Sequence, residues 1–438
     1  MDWWVILSLF LGLLLLFLLS GMPVAFAFLV TNFAMVGLVF GLESGLNQLV
    51  RSMYDSVARF TFTPIPAFIL LGELLFRSGL AFAALDVLSQ FLGRLPGRLA
   101  VLAVGSGTLF AALSGSNIAN TSMLGALLVP DMRRRGYHVS MSVGPIMAAG
   151  TLAMLIPPSA VAVLLGGIGK ISVGALLIGG IIPGLLMALL FVVYIIAACA
   201  LRPGLAPAYE VNLLPWSARF AGLVKHVLPL FAIIFLVVGL IFAGWATPTE
   251  SAALGTLGAF VLVALYGRLT KDVLLATAKG TLKISGMIMF IFACAAGFSQ
   301  LLAFTGATRE LIAIVATFDI SATAIIIVML TIVLILGGFL EQTSIMMITL
   351  PLFMPIVLTH EINPVWFGIM MLIMLDLGNL TPPFGFNLFI MKGVVSRDVT
   401  MQQIYRAALP FILLELGIVA LILALPDLVL WLPRVSGL

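Results

Sequence analysis

Leu113-Ser-Gly-Ser-Asn-Ile-Ala-Asn120 lies inside apolar sequence long enough to enter a membrane, and Ile156-Pro-Pro-Ser159 follows in the same apolar context. Both stretches break a helix there: glycine relaxes the backbone, and proline removes an amide donor and restricts the residue before it. A second copy of the arrangement comes later, as Gly338-Phe-Leu-Glu-Gln-Thr343 and then Leu380-Thr-Pro-Pro-Phe384. Pro382 follows Pro157 by 225 residues, and Pro248 follows Pro23 by the same 225. The chain therefore reads as two related halves, each with two interrupted elements.

The surrounding composition fixes the solvent. Of 438 residues, 63% are hydrophobic and only 9% charged, against roughly 25% charged in a soluble domain. Apolar runs of roughly 18 or more residues recur from end to end, which gives an all-α polytopic membrane protein of about ten to twelve segments. The runs are continuous rather than alternating, which argues against a β-barrel. The net charge of +4 calls for no nucleic-acid partner, because basic residues in a membrane protein mark cytoplasmic loops. Cys199 and Cys294 sit in apolar segments and read as buried packing residues, not a disulfide. Met1-Asp-Trp-Trp4 lacks a basic leader and a small-residue cleavage site, so it reads as a first span with an aromatic anchor rather than a signal peptide.

Along the chain, residues 3–20 and 23–42 read as two spans joined at Ser20-Gly-Met-Pro23. Residues 44–62 carry Glu43 just before them and Arg51, Asp55 and Arg59 within, as an interfacial amphipathic segment does. Residues 64–79 re-enter the membrane with Glu73, which is either functional or paired locally with Arg77 one turn on. Residues 98–113 and 117–132 flank the first tip, with Arg94 and Arg98 before them and Arg133-Arg-Arg135 and His138 after. Arms of about 16 residues span about 24 Å, short for a full crossing, which favours a re-entrant hairpin over two complete spans. Residues 141–155 and 160–169 flank Pro157-Pro158 as one broken span, residues 171–200 make another span, and 202–226 is the linker between halves.

The second half repeats this order. Spans at 227–245 and 250–267 are followed by a basic stretch, 268–283, that leads into an apolar one, 284–304. Residues 321–337 and 343–358 form a second hairpin, bounded by Asp319, His360 and Glu361 and by no Lys or Arg. Residues 364–380 and 384–392 form a second broken span, and residues 408–432 close the chain. With the halves in opposite orientations, 16 of the 21 Lys and Arg fall on the cytoplasmic side, leaving Arg51, Arg59, Lys170, Arg309 and Arg434 outside.

An inverted-topology repeat with re-entrant hairpins and broken helices is the signature of a secondary transporter whose site lies at the membrane midplane. A helix end inside the bilayer leaves four backbone groups without partners. Carbonyls there suit Na⁺, and helix N-termini suit a carboxylate. Ser114, Ser116, Asn117, Asn120, Thr343, Thr381 and Asn387 add neutral oxygens. Each of them alone is equally readable as a helix-packing residue.

At this point the residues resemble a known family. Ile65-Pro-Ala-Phe-Ile-Leu-Leu-Gly-Glu73, the first tip, Pro130 through Gly136-Tyr137 and Ile156-Pro-Pro-Ser159 resemble the large membrane (M) subunit of tripartite ATP-independent periplasmic (TRAP) transporters. So do Thr247-Pro-Thr-Glu250, Phe339-Leu-Glu341, Pro364-Val-Trp-Phe-Gly368 and Leu380-Thr-Pro-Pro-Phe-Gly-Phe-Asn387. The resemblance implies an elevator-type transporter of the ion-transporter superfamily in a bacterial inner membrane. It implies Na⁺-driven uptake of a small organic acid delivered by a periplasmic substrate-binding protein, with a small four-helix membrane subunit as a separate chain. It divides the chain into scaffold (1–63, 171–283 and 393–438) and transport elements (64–170 and 284–392). Carried over residue by residue, it puts Na⁺ near Ser114, Gly115, Ser116, Asn117 and Pro157, and again near Gly338, Glu341, Thr381 and Pro382. Substrate would lie near Ser116, Ser159, Asp376 and Asn387. Asp376 would repel an anion, so a cation, a proton or an arginine is its alternative partner. Glu250 is expected at an interface outside the transport domain.

Three other readings compete. A single-component divalent-anion/Na⁺ symporter differs in needing no binding protein. An intramembrane enzyme lacks support, since there is no His-Glu-x-x-His zinc motif and His138, His226 and His360 fall at expected loops far apart in sequence. A channel fits poorly with paired broken helices.

Overall fold

The computed structural model describes the chain apart from residues 1, 94, 208, 210–212, 318 and 319 and, for side chains, also 40, 42, 113, 114, 312 and 314–317. Met1, Arg94, Asp319 and the Ser114 side chain, named above, therefore lie outside the described residues.

Among the described residues all regular structure is helical. Helices α1 (Trp3–Leu19) and α2 (Val24–Met35) turn at Gly21, whose φ of 84° favours glycine. The amphipathic α3 (Leu42–Val57), α4 (Pro64–Arg77) and α5 (Leu80–Phe91) follow. The first hairpin is α6 (Arg98–Ser114) and α7 (Asn117–Arg134), and α8 (Val139–Thr151) and α9 (Ala160–Gly169) flank Pro157-Pro158. Next come α10 (Val173–Gly179), α11 (Ile181–Leu201), α12 (Trp216–Gly222), α13 (Leu228–Phe242), α14 (Pro248–Leu265), α15 (Lys271–Phe304) and α16 (Ala307–Thr317). The second hairpin is α17 (Ala322–Gly337) and α18 (Gln342–Thr359), and α19 (Pro364–Leu380) and α20 (Phe386–Val394) flank Pro382-Pro383. Helices α21 (Met401–Ala424) and α22 (Asp427–Val435) end the chain. Both Pro-Pro peptide bonds are cis. Seven described helical runs are long and apolar enough to cross a membrane, and shorter apolar helices accompany them. The chain is a multi-pass membrane protein.

Several boundaries differ from the sequence reading, each for a local reason. The stretch 171–200 divides at Gly180, where a β-carbon would lie 2.5 Å from the Leu155 carbonyl oxygen. The basic stretch 268–283 is not separate from 284–304: α15 is one helix of 34 residues. Half of the expected linker is helical, because residues 216–227 run straight into α13. His226 therefore lies within a helix and not in a loop. The closing span begins earlier, at Met401, where Thr400 and Gln403 form a capping box, and it breaks at Leu425-Pro426. Helix α16 had no counterpart in the sequence reading.

The helices gather into two groups, which touch each other where α4 meets α6 and α9 and where α15 meets α18. In one, α15 lies against α2, α3 and α4, α4 against α14, and α14 against α13. Phe298 of α15 anchors it, receiving Phe10 and Phe28 edge-on at 5.3 Å. In the other, α8 packs on α6, α7 and α21, and α19 on α17, α18 and α21. Phe411 of α21 receives Phe191 and Tyr194 of α11 at 5.3 Å. Edge-to-face pairs of this kind contribute about 0.5–1.5 kcal/mol each beyond their buried area. Cys199 and Cys294 are buried free thiols, as packing residues are.

Two acidic residues are explained locally. Glu73 accepts a hydrogen bond from Arg77 Nε at 2.6 Å, the one-turn pair, and Gly280 of α15 leaves room for it. Glu250 accepts from the Thr247 amide at 2.8 Å and completes a capping box at the start of α14.

Candidate functional site

Each tip is seated on a break. Gly115 closes α6 with a φ of 57°, and a β-carbon there would lie 3.2 Å from the Pro158 carbonyl oxygen. Ser116 then caps α7 by accepting from the Ala119 amide at 3.3 Å, and Ser159 caps α9 by accepting from Ala162 at 3.2 Å. On the other side, the Gly338 carbonyl accepts from the Phe384 amide at 3.0 Å. The contact is possible because α17 and α19 touch through glycines: a β-carbon on Gly337 would lie 2.5 Å from the Gly378 α-carbon. The first hairpin is held by an amide staple, since Asn120 Nδ2 donates to both the Gly107 and Ala149 carbonyls at 3.0 Å, joining α6, α7 and α8.

The halves meet at Asn117, the first residue of α7. Its Nδ2 donates to Asp376 Oδ1 of α19 at 2.6 Å, and its Oδ1 accepts from Asn387 Nδ2 of α20 at 2.5 Å. Thr121 Oγ1 donates to the same Asn117 oxygen at 3.4 Å. Gly150 of α8 makes room, because a β-carbon there would lie 2.7 Å from Asn117 Oδ1. Asn117, Asp376 and Asn387 are 4%, 1% and 1% exposed, so this is a dry polar knot, where each unmet group costs about 1–3 kcal/mol. Asp376 Oδ2 has no hydrogen-bond partner.

The expected site residues therefore fall into three contact groups. Gly115 and Ser159 meet across Pro158, Asn117 joins Asp376 and Asn387, and Gly338 meets the break at 382–384. Glu341 stands at the start of α18 and accepts from Thr343 Oγ1 at 2.8 Å. Thr381 Oγ1 donates back to the Leu377 carbonyl at 2.7 Å, so its proton is engaged within α19. Asn379 Nδ2 donates to Gln342 Oε1 at 3.0 Å, a tip-to-break bond that sequence reasoning missed. Glu415, fully buried on α21 and bonded to Thr151, was also missed, although a carboxylate inside Phe411-Ile-Leu-Leu-Glu-Leu416 is itself a signal. The two breaks differ in exposure: Pro157 and Pro158 are buried, while Pro382, Pro383 and Phe384 are exposed. At the base, Arg133 Nη2 donates to Asp398 Oδ2 at 3.3 Å. The Ser396 hydroxyl, ahead of Arg133, holds that carboxyl below its ordinary range. No group of three or more His, Cys, Asp or Glu occurs among the described residues.

Residues 11–428 match the family described as "Tripartite ATP-independent periplasmic transporter, DctM component". The C4-dicarboxylate TRAP transporter large permease protein DctM of Pseudomonas aeruginosa is 33% identical, over 92% of this chain and 93% of that one. The isethionate TRAP transporter permease protein DctMQ of Oleidesulfovibrio alaskensis is 30% identical over 95% of this chain but 64% of its own length. The crystal structure of the Alcanivorax borkumensis YdaH transporter superimposes with a TM-score of 0.64 at 15% identity, covering 88% of this chain and 89% of that one, a likeness of fold.

Proposed function

This chain belongs to the DctM-component family of tripartite ATP-independent periplasmic transporters, permeases and not enzymes, and we propose that it is the large membrane subunit of a Na⁺-coupled uptake system for a small organic acid. The observation that carries the reading is Asn117, which ties the first tip to both arms of the second broken helix. A site built from interrupted elements of both halves can change its access when the halves shift.

In this reading the repeats are inverted and the helices around the breaks move as an elevator. The moving group includes α11 and α21, which pack on α6 and α8. Helices α4 and α15 belong with the stationary group, since they pack on α14 and α2. That departs from the division at 64–170 and 284–392, which placed α4 and the apolar half of α15 with the transport elements. The exposed break at 382–384 and the buried one at 157–158 fit a site open on one side.

Na⁺ takes oxygen ligands. At the first tip these come from Ser114, Gly115, Ser116, Asn117 and Pro157, and at the second from Gly338, Glu341, Thr381 and Pro382, with Gly and Pro offering carbonyls. Two buried oxygens near the tips, Asn120 Oδ1 and Ser344 Oγ, have no protein partner and are of the right kind. The acid sits between Ser116, Ser159 and Asn387, beside Asp376. A binding protein delivers it from the periplasm, and the small membrane subunit is a separate chain, unlike the relative whose name joins M and Q. The assembly lies in a bacterial inner membrane.

The test is uptake into proteoliposomes holding this chain, its small subunit and the binding protein. Uptake should vanish when Na⁺ is replaced by K⁺. Undiminished uptake in K⁺ removes the coupling claim, and uptake without binding protein favours the single-component symporter.

A further inference from the structure

Glu415 is 0% exposed on α21, and nothing in the proposed transport cycle uses it. Its Oε1 lies 2.8 Å from Thr151 Oγ1, and that hydroxyl lies 2.8 Å from the Ala148 carbonyl oxygen as well. Glu415 Oε2 has no partner. A hydroxyl carries one proton and a carbonyl carries none. Once Thr151 donates to Ala148, the short separation from Glu415 needs a proton from the glutamate.

Among the described residues, the helices packed on α21 supply no cation in its place. Helix α8 carries no charged residue, and α19 carries only Asp376, itself an acid. Helix α11 offers Tyr194 and Cys199. Lys392 of α20 is bonded to the Val399 carbonyl, and Asp427 and Arg434 of α22 pair with each other. On α21 itself, Tyr405 donates to the Pro383 carbonyl, and Arg406 lies nine residues from Glu415. An ionised carboxylate buried without a cation costs several kcal/mol, so such a group keeps its proton instead.

We propose that Glu415 is a proton-binding site: a neutral carboxylic acid whose O–H donates to Thr151 Oγ1, which in turn donates to the Ala148 carbonyl. Thr151 follows Gly150, the residue that makes room for Asn117, so the bound proton lies one residue from the knot that joins the two halves. Any movement that admits water to Glu415 lets this proton leave and puts a charge beside the site. The claim does not depend on which ion drives uptake.

Infrared spectroscopy of the full chain in an ester-free detergent tests it. The wild-type minus Glu415→Gln difference spectrum at neutral pH should contain a carboxylic-acid carbonyl band. Thr151→Val, which removes the acceptor, should move that band to higher wavenumber. A carboxylate band in its place, or an acid band untouched by Thr151→Val, overturns the proposal. Thermal melting gives an independent reading. The contribution of a carboxyl kept neutral in the folded protein is complete below the ordinary glutamate range, about 4.3, and drains away as pH rises above it and the unfolded chain ionises, so between about pH 5 and 7 the wild-type midpoint should fall more steeply with pH than that of Glu415→Gln. Equal slopes also overturn it.

Discussion

Asn117 and Asn387 share a hydrogen bond of 2.5 Å across 270 residues of sequence. Asp376 sets how the Asn117 amide is turned: its carboxyl oxygen accepts from the nitrogen, and the amide oxygen is left for Asn387 and Thr121. Asn117→Ala would orphan groups on α19 and α20 together. We expect it to cost about 1–3 kcal/mol of stability and to abolish uptake. A double-mutant cycle with Asn387→Ala should give a coupling of about 0.5–3 kcal/mol. Additive losses in thermal unfolding would mean that the two amides do not act as a unit.

The contact between Gly337 and Gly378 leads to a steric prediction. A β-carbon on either glycine would press on the other's backbone, which cannot yield as a flexible side chain would. Gly378→Ala should therefore separate α17 from α19, cost about 1–3 kcal/mol and disturb the seat of Gly338 on the second break. Gly286→Ala in α15 is the control, since nothing lies within 4 Å of its added β-carbon. Helix propensity there should leave stability unchanged or raise it by about 0.5–1 kcal/mol. Equal melting midpoints for the two variants would contradict the packing.

What the sequence made legible follows from which features act locally. The tips and the Pro-Pro breaks could be placed within a residue or two, because proline and glycine act on their own backbone. Asn387 could be marked because polar groups in apolar runs are rare, and Asp376 was marked by the family resemblance. That Asn117 would be their common partner could not be read, because the bond depends on how α7, α19 and α20 converge. Glu415 could have been noticed by the same rule as Glu73 and Asn387, but the closing segment was read only as a span. The break at Leu425-Pro426 was visible in principle and was outweighed by the apolar run around it.

The capping box at Thr247 and Glu250 separates a structural role from a functional one. If Glu250 acts only as a cap, Glu250→Gln keeps the reciprocal bond and should leave both melting and uptake near wild type. Thr247→Ala should cost about 1 kcal/mol, since it removes the acceptor for the Glu250 amide. Loss of uptake in a normally folded Glu250→Gln protein would point to a role beyond the cap.

Opposite orientation of the two halves is the premise on which the moving-site reading stands, and the hairpin bases report on it. Arg134 ends α7 and Thr359 ends α18, both exposed. The native thiols are buried, so single cysteines introduced at these positions can be labelled selectively. With inverted repeats, the Arg134→Cys hairpin opens to the cytoplasm beside Arg133 and Arg135, and the Thr359→Cys hairpin opens to the periplasm, where no Lys or Arg flanks it. A membrane-impermeant maleimide added to intact cells stripped of their outer membrane should label Thr359→Cys and spare Arg134→Cys, and inside-out vesicles should reverse the pattern. Labelling of both from one side would place the halves in parallel. A site made from Asn117 and Asn387 could not then present matching broken ends to the two faces of the membrane, and the alternating-access reading would fall with it.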